Sequence, residues 1–167
     1  MKVHSFAPVG SPQATRLILG SMPGAASLKA SEYYAHPRNA FWTVMEGVVG
    51  IPRSLSYLER TSLLQERGFA LWDVLHACTR TSSMDSDIIP ATMVANDLAS
   101  FFSSTPLVRQ IYFNGAKAEA IYLKHILPSL GAAHRDIARR RLPSTSPANA
   151  RVSMEEKLAA WSVIANE

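Results

Sequence analysis

The sequence predicts an α/β fold: a three-layer α/β/α sandwich whose central, mostly parallel sheet has about four strands. Two observations predict it. Short apolar runs such as Arg16–Gly20 alternate along the chain with segments whose apolar residues recur at helical spacing. Strands that alternate with helices usually pair in parallel and are covered on both faces. The 167 residues can bury one proper core, so we expect a single domain over residues 1–167.

The first half of the chain contains a strand, a polar loop, two helices and one segment of undecided type, over residues 16–20, 21–27, 40–49, 54–67 and 69–78. The strand is apolar in its centre and ends at Gly20. Gly50 and Pro52 separate the two helices. The last segment is mostly apolar, and its periodicity does not decide between strand and helix.

The second half contains a helix, a strand, a helix and a strand, over residues 97–102, 107–113, 116–127 and 137–142. Asn114-Gly115 ends the first of these strands, and Pro143 ends the second. Ser153 and Glu156 match a capping box, in which each side chain caps the other residue's backbone amide. A C-terminal helix is therefore expected to follow Ser153.

Composition narrows the class of protein. With 47% hydrophobic and 18% charged residues, the chain is not intrinsically disordered. No apolar run approaches the roughly 20 residues of a membrane span, and residues 1–12 do not resemble a secretory signal. Cys78 is the only cysteine, which excludes an intrachain disulfide and a four-cysteine metal site. We expect a cytoplasmic monomer without metal, cofactor or membrane contact.

The net charge of +4 is concentrated in one segment. Residues 135–151 hold five arginines and one acid, whereas the rest of the chain holds 12 bases and 12 acids. The triplet Arg139, Arg140 and Arg141 is either a solvated strand flank, in which alternation would bury one side chain, or a phosphate-binding surface. It leads directly into the loop after Pro143, which favours the second interpretation.

Three polar loops follow the predicted strands, over residues 20–27, 114–117 and 144–149. In open parallel sheets, ligands bind beyond the carboxyl ends of the strands. We therefore expect these loops to form one ligand site. The loop Ser21 to Gly24 has small residues whose backbone amides suit an anion, although a tight turn without a ligand is equally compatible with it.

The segment from Tyr33 to Trp42 is the densest in functional side chains. Asn39 directly precedes a helix, so it fits an N-cap as well as a catalytic residue. Tyr34 is either a surface aromatic or a platform on which a base stacks. His36, followed by Pro37, fits a loop anchor better than a catalytic base.

Four motifs in this order resemble the uracil-DNA glycosylase superfamily, and in particular its hypoxanthine (deoxyinosine) DNA glycosylase branch. They are Gly20-Ser21-Met22-Pro23-Gly24, His36-Pro37-Arg38-Asn39-Ala40-Phe41-Trp42, Phe113-Asn114-Gly115-Ala116-Lys117-Ala118 and Leu142-Pro143-Ser144-Thr145-Ser146-Pro147. The resemblance spans roughly residues 16 to 164. It implies a monofunctional DNA glycosylase of base excision repair that acts on DNA containing deaminated bases, hypoxanthine first and uracil second.

The resemblance also assigns roles to residues. Asn39 becomes the catalytic residue, and Tyr34 covers the flipped base. DNA or phosphate contacts fall to the two loops and the arginine triplet: Ser21, Gly24, Ser144, Thr145, Ser146, Arg139, Arg140 and Arg141. Three positions depart from the superfamily. Met22 replaces the asparagine of the mismatch-specific branch, and Leu142 replaces the polar histidine or asparagine of other branches. Ser146 lies near the position of the leucine wedge that fills the gap in the DNA.

We propose Asn114 as the reader of the base. Its amide offers a donor and an acceptor, which complement O6 and N1–H of hypoxanthine, and equally O4 and N3–H of uracil. Guanine shares O6 and N1–H, so its 2-amino group must be excluded sterically. Adenine would be accepted if the amide flipped, so a neighbour of Asn114 must fix its orientation.

Two alternatives belong to other functional classes. A non-catalytic module that recognises lesions or DNA ends would keep the basic segment, and Met22 favours this alternative. An enzyme acting on small nucleosides would use the same strand-end site, but the arginine triplet argues against it because a small substrate needs no second basic patch.

Overall fold

A computed structural model of the chain describes residues 1–166. The strands are β1 (Lys2–His4), β2 (Arg16–Gly20), β3 (Phe69–Asp73), β4 (Leu75–Thr79), β5 (Val94–Ala95), β6 (Gln110–Asn114) and β7 (Ala138–Leu142). The helices are α1 (Ala25–Ala30), α2 (Phe41–Val49), α3 (Tyr57–Glu66), α4 (Leu98–Ser104), α5 (Ala116–Ile121), α6 (Ala132–Arg135) and α7 (Met154–Trp161). Glu167, the last residue of the expected domain, lies outside the described residues.

The central sheet has four parallel strands in the order β3-β2-β6-β7. This confirms the predicted fold class, a mostly parallel sheet between helical layers. A second, antiparallel sheet has the order β1-β4-β5 and was not predicted. Strands of two or three residues carry too little alternation to be recognised from sequence.

Helices cover both faces of the central sheet, as its alternating side chains require. On one face, Leu17 and Leu19 of β2 pack in a cluster with α4, α5 and the small sheet. On the other face, Ile18 packs with residues of α2, α3 and α7. Both faces of β2 are therefore buried, which explains its continuous apolar run.

The undecided segment 69–78 consists of two strands. β3 joins the parallel sheet and β4 joins the antiparallel one, and the chain passes between them at Val74. The helix expected over 116–127 is α-helical only to Ile121 and continues as a π-helical turn, Tyr122–Ile126. The predicted loop 21–27 is wrong at its end, because α1 begins at Ala25.

The helix ends follow the sequence closely. Ser153 accepts from the Glu156 amide and Glu156 caps Ser153 in return, which confirms the predicted capping box. Ser56 and Glu59 form the same arrangement at the start of α3. None of the helices within residues 1–166 is both long enough and apolar enough to cross a bilayer.

The arginine triplet lies on β7, which is the edge strand of the central sheet. Arg139, Arg140 and Arg141 are all exposed, so the expectation that alternation would bury one of them is wrong. An edge strand reached by few covering residues leaves both of its faces open to solvent. Only Leu142, at the end of the strand, is buried.

Candidate active site

A cavity of about 1150 Å³ lies at the carboxyl edge of the central sheet. Each of the four parallel strands ends in it, with Gly20, Asp73, Asn114 and Leu142 as their last residues. The three predicted loops also line it, so the structure brings together what the sequence placed at one sheet edge. Its walls are completed by the Tyr33–Asn39 segment and by residues 83–86.

The floor of the cavity is built around Gly20. Asp73 is its register partner on β3, and a Cβ at Gly20 would lie 2.6 Å from Asp73 Oδ1 and 3.1 Å from the Tyr34 hydroxyl. Such approaches are too close for any side chain, so residue 20 must be glycine for the carboxyl and the phenol to occupy the floor together.

Asp73 is 3% exposed, and its Oδ2 has no hydrogen-bond partner among the described residues. Burial, reinforced by the nearby Asp85 carboxylate, raises its pKa to about 7, although Arg80 opposes the shift. A substantial fraction of the molecules therefore carry a neutral Asp73 at neutral pH. Asp73 was not among the predicted site residues; only its position directly after an apolar run could have indicated it.

Ser21 is tied to the loop that follows β4. Its hydroxyl donates to Asp85 Oδ1 at 2.6 Å. Burial raises the pKa of Asp85, while this hydrogen bond and the nearby Arg80 act in the opposite direction. Arg80 is itself 4% exposed and donates to the carbonyl of Pro23. Ser21 therefore lines the cavity with its hydroxyl already engaged.

Gly24 lies at the N-terminus of α1, half-buried on the cavity wall. Its carbonyl accepts from Leu28, and the next amide, that of Ala25, donates to Ser83 Oγ at 2.9 Å. The Ser21–Gly24 loop is thus held from the β4 side through both Ser83 and Asp85. The carboxyl of Asp85 beside it lowers the local attraction for anions.

Tyr34 adopts a left-handed backbone conformation with φ of +57°. A bulky residue in this region is uncommon and costs on the order of 1–3 kcal/mol, which the surrounding packing must offset. Its ring stacks on the buried Phe41 at 4.0 Å with an interplanar angle of 18°. Its hydroxyl is buried near Asp73 and Asn114, so the residue contributes both a ring and a polar group to the cavity.

Asn39 lines the cavity and also holds the turn that leads into a helix. Its Oδ1 accepts from the Phe41 amide at 2.9 Å, at the start of α2. Its backbone amide donates to the His36 carbonyl and closes the preceding turn. The N-cap of α2 is Ala40, so the N-cap interpretation of Asn39 is wrong by one residue, although its side chain still satisfies an amide of the first helical turn. This contact does not compete with a role in the cavity, because an amide oxygen accepts two hydrogen bonds.

Asn114 is fixed by Thr145. Asn114 Oδ1 accepts from the Thr145 backbone amide, and Asn114 Nδ2 donates to Thr145 Oγ1, both at 2.9 Å. Because a backbone N–H can only donate, the amide of Asn114 has one possible orientation. Thr145 is thus the orienting neighbour that recognition of the base requires. One oxygen lone pair of Asn114 is left for a ligand, and its second Nδ2 hydrogen faces the Tyr34 hydroxyl at the cavity wall.

The loop after β7 is compact. Ser144 Oγ accepts from the Ser146 amide, Ser146 Oγ accepts from the Ala148 amide, and Thr145 is 1% exposed. The Thr145 carbonyl accepts from the Ala40 amide, which joins this loop to the Asn39 segment. Gly115, with φ of +99°, allows the loop to approach, because a Cβ there would lie 3.0 Å from Ser144.

The arginine triplet divides between the faces of β7. Arg141 lines the cavity and lies 3.5 Å from Glu119. Arg139 donates to the Arg135 carbonyl at 3.0 Å. Arg140 lies between them in sequence, so its side chain is on the opposite face of the strand. The structure therefore brings one of the three arginines into the cavity.

No cluster of three or more histidine, cysteine, aspartate or glutamate side chains that could hold a metal ion occurs within residues 1–166. Cys78 is buried, and burial raises the pKa of its thiol. The groups available in the cavity are amides, hydroxyls, two carboxyls, one histidine and two arginines, Arg38 and Arg141. Such a set can bind a substrate through hydrogen bonds and charge at the end of a parallel sheet.

The comparison with known proteins identifies the class. Residues 7–166 match the uracil DNA glycosylase superfamily. The chain therefore belongs to this superfamily, and it is a hydrolytic DNA glycosylase of base excision repair.

Individual relatives agree with this assignment. The chain is 31% identical over 151 residues to a hypoxanthine DNA glycosylase of Methanosarcina barkeri, covering 84% of this chain and 94% of that protein. It is 32% identical over 134 residues to a hypoxanthine DNA glycosylase of Methanosarcina acetivorans, covering 75% and 84%. An NMR solution structure of a candidate uracil DNA glycosylase from M. acetivorans superposes with a TM-score of 0.77 at 29% identity, covering 98% and 99%.

Proposed function

We propose that this glycosylase removes deaminated bases from DNA, hypoxanthine first and uracil second, without cutting the strand. The observation that carries the proposal is the oriented amide of Asn114, which lines the cavity at the end of β6. The curated relatives named for hypoxanthine support the order of preference. We further propose that the protein acts as a monomer in the cytoplasm.

Recognition begins when the damaged nucleotide leaves the base stack and enters the cavity. The second Nδ2 hydrogen of Asn114 donates to O6 of hypoxanthine, and the remaining lone pair on Oδ1 accepts from N1–H. Thr145 prevents the amide from flipping, so adenine, which presents the reverse pattern, finds no complement. Tyr34 covers the base with its ring, an interaction worth roughly 1–3 kcal/mol in such sites.

Uracil presents the same acceptor and donor as hypoxanthine, so Asn114 binds both. The cavity of about 1150 Å³ has room for a purine. A pyrimidine leaves part of that room unfilled and packs less closely against the walls, which places uracil second. Guanine is rejected where its 2-amino group meets the cavity wall.

Asn39 holds the attacking water through its amide oxygen. The glycosidic bond breaks with oxocarbenium character, the water oxygen adds to C1′, and the bond's electron pair leaves with the base as an anion held by Asn114. The water gives up one proton as its oxygen bonds to C1′, and the base anion takes up one proton, so the products are the neutral base and an abasic sugar. No lysine is among the described side chains that line the cavity, so no amine is in place to form a Schiff base with the sugar. This favours base removal without strand cleavage.

Phosphate contacts fall to the two loops at the cavity mouth and to the arginine triplet. Gly24 and Ser144 offer backbone and hydroxyl groups, and Arg141 adds a charge at the mouth. The hydroxyls of Ser21 and Ser146 already make hydrogen bonds within the protein, to Asp85 and from the Ala148 amide. These two residues therefore contact phosphate through their remaining polar groups. Thr145 acts indirectly, because it is buried and holds Asn114.

The test uses duplex oligonucleotides that carry one deoxyinosine, one deoxyuridine or only normal bases. The protein is incubated with each, and alkali then converts abasic sites into strand breaks. We expect strand breaks at deoxyinosine and slower formation of strand breaks at deoxyuridine. No strand should be broken before the alkali step. Absence of product on both damaged duplexes contradicts the proposal. Tight binding of these duplexes without product would instead indicate a non-catalytic lesion-binding module.

A further inference from the structure

A DNA glycosylase that extrudes a nucleotide leaves a gap in the base stack, and an apolar side chain inserted from the protein commonly fills it. The proposed function therefore requires a wedge at the mouth of the cavity. The wedge must be long, apolar and exposed before DNA binds, and its backbone must be held firmly enough to transmit the push.

The loop after β7 does not supply such a side chain. Its residues from Ser144 to Ala148 are hydroxyl-bearing or small, except for Pro147, which is half-buried. The hydroxyls of Ser144 and Ser146 close turns within the loop, and Thr145 is buried. The superfamily's leucine position is thus occupied here by a short polar residue that is already engaged.

Met84 meets the requirement. Eight large apolar side chains are well exposed within residues 1–166: Met1, Leu58, Met84, Ile89, Val94, Leu107, Leu123 and Met154. Among them, Met84 is the one that lines the cavity, and it is 50% exposed.

The backbone around Met84 is tethered on both sides to the first loop of the site. Ser83 Oγ accepts from the Ala25 amide at 2.9 Å, and Asp85 Oδ1 accepts from Ser21 Oγ at 2.6 Å. The Met84 amide itself donates to Ser82 Oγ at 3.0 Å. The side chain is therefore carried on a fixed support at the rim, while the unbranched thioether can adapt to the bases above and below it.

We propose that Met84 is the wedge that enters the DNA base stack when the damaged nucleotide occupies the cavity. This inference rests on the proposed function, because it requires duplex DNA as the partner. It places the wedge on the loop after β4, whereas the superfamily's leucine position lies on the loop after β7. The Ser21–Asp85 hydrogen bond then connects the wedge to the loop that faces the flipped nucleotide.

The test compares Met84→Ala with Ile89→Ala. Ile89 is 45% exposed, lies five residues further along and does not line the cavity, so it is a matched control. Single-turnover excision of deoxyinosine is measured in a duplex and in the same strand unpaired. We expect Met84→Ala to lose about tenfold or more on the duplex, about 1.4 kcal/mol, and less than about twofold on the single strand, where no stack must be held open. Met84→Leu retains most activity.

A binding measurement makes the test independent of turnover. Affinities are measured for a duplex with a stable abasic-site analogue and for an intact duplex. We expect the wild type and Ile89→Ala to prefer the abasic duplex, and Met84→Ala to lose most of that preference. The wedge proposal is overturned if Met84→Ala loses the same excision rate on paired and unpaired substrate, or loses none. It is also overturned if Ile89→Ala shows the same loss as Met84→Ala. Absence of excision by the wild type together with a preserved binding preference overturns only the proposed base-removal activity.

Discussion

At the scale of single residues, Asn39 combines a structural and a proposed chemical role in one amide. Its Oδ1 accepts from the Phe41 amide at the start of α2, and the same side chain lines the cavity. This hydrogen bond holds the amide in a defined place, so the water it is proposed to bind is also placed. The structural contact and the proposed catalytic role are therefore compatible at this position.

Asn39→Ala should reduce single-turnover excision of deoxyinosine by at least about 100-fold, because the variant has no oxygen to hold the water. Loss of the hydrogen bond to the Phe41 amide should cost only about 1 kcal/mol of unfolding free energy. Affinity for the deoxyinosine duplex should change little. Asn39→Asp keeps an acceptor for the Phe41 amide and should retain measurable turnover. A near wild-type rate in Asn39→Ala would show that another residue holds the water.

Asp73 makes a second prediction at this scale, which concerns stability against pH. Its pKa is raised from 3.8 to about 7 in the folded protein. Between these values the folded state keeps a proton that the unfolded state releases, so rising pH destabilises the fold until both states are ionised. Asp73→Asn removes this effect, whose upper limit is about 4 kcal/mol.

The measurement is the urea-derived unfolding free energy at about pH 4.5 and about pH 7.5, on either side of this titration. Relative to Asp73→Asn, the wild type should lose stability between the two values. Asp136→Asn, at an exposed position, serves as the control and should follow the wild type. Parallel pH dependence of the wild type and Asp73→Asn would mean that the carboxyl is ionised at low pH in the folded state.

At the scale of elements, the edge strand β7 joins the basic segment to the loop that faces the cavity. Its arginines are exposed on both faces because no further strand or complete helical layer covers them. Alternation places Arg139 and Arg141 on one face and Arg140 on the other. A duplex seated over the cavity mouth would pass along this edge.

Changing Arg139, Arg140 or Arg141 singly to glutamine should weaken binding of damaged and undamaged duplexes alike. Each arginine that no longer neutralises a phosphate should flatten the dependence of log affinity on log salt by about 0.9. Arg109→Gln is the matched control, because Arg109 is exposed just before β6, at the amino edge of the sheet and away from the cavity. Affinity is measured by fluorescence anisotropy over a salt series. An unchanged slope in all three variants would identify the triplet as solvated surface charge.

At the scale of the whole molecule, the C-terminal segment holds the loop after β7 in place. Trp161, fully buried at the end of α7, donates from Nε1 to the Pro143 carbonyl at 2.9 Å. Arg16 Nη1, on β2, donates to the Ile164 carbonyl at 2.6 Å. The loop after β7 is thus held by α7, the last of the α-helices along the chain.

Trp161→Phe should lower the unfolding free energy by about 1–3 kcal/mol, since it removes buried volume and leaves the Pro143 carbonyl without its donor. It should also speed amide hydrogen exchange at Thr145 and Ser146. Trp72→Phe is the control: Trp72 Nε1 donates to the Phe6 carbonyl at 2.9 Å, away from this loop. Equal exchange rates at Thr145 in both variants would show that Trp161 does not hold the loop after β7.

Local patterns predicted the elements that depend on neighbouring residues. The buried run of β2, the capping box at Ser153 and the helical spacing of α2 and α3 are all set within a few residues along the chain. The edge where the loops meet followed from parallel pairing alone. The sequence made no prediction where distant contacts decide: β1 and β5 were not expected and residues 69–78 were undecided, because each depends on which sheet the strand joins.

Periodicity and short motifs were enough to establish the α/β sandwich, the superfamily and the loops that form the site, because each of these is encoded within a few neighbouring residues. The orientation and environment of the site's side chains depend on the folded chain. Folding orients Asn114 through Thr145, sets the buried Asp73 on the floor beside Gly20, and brings Met84 to the rim. These residues lie far apart along the chain, and burial and hydrogen bonding across such distances leave no local pattern in the sequence.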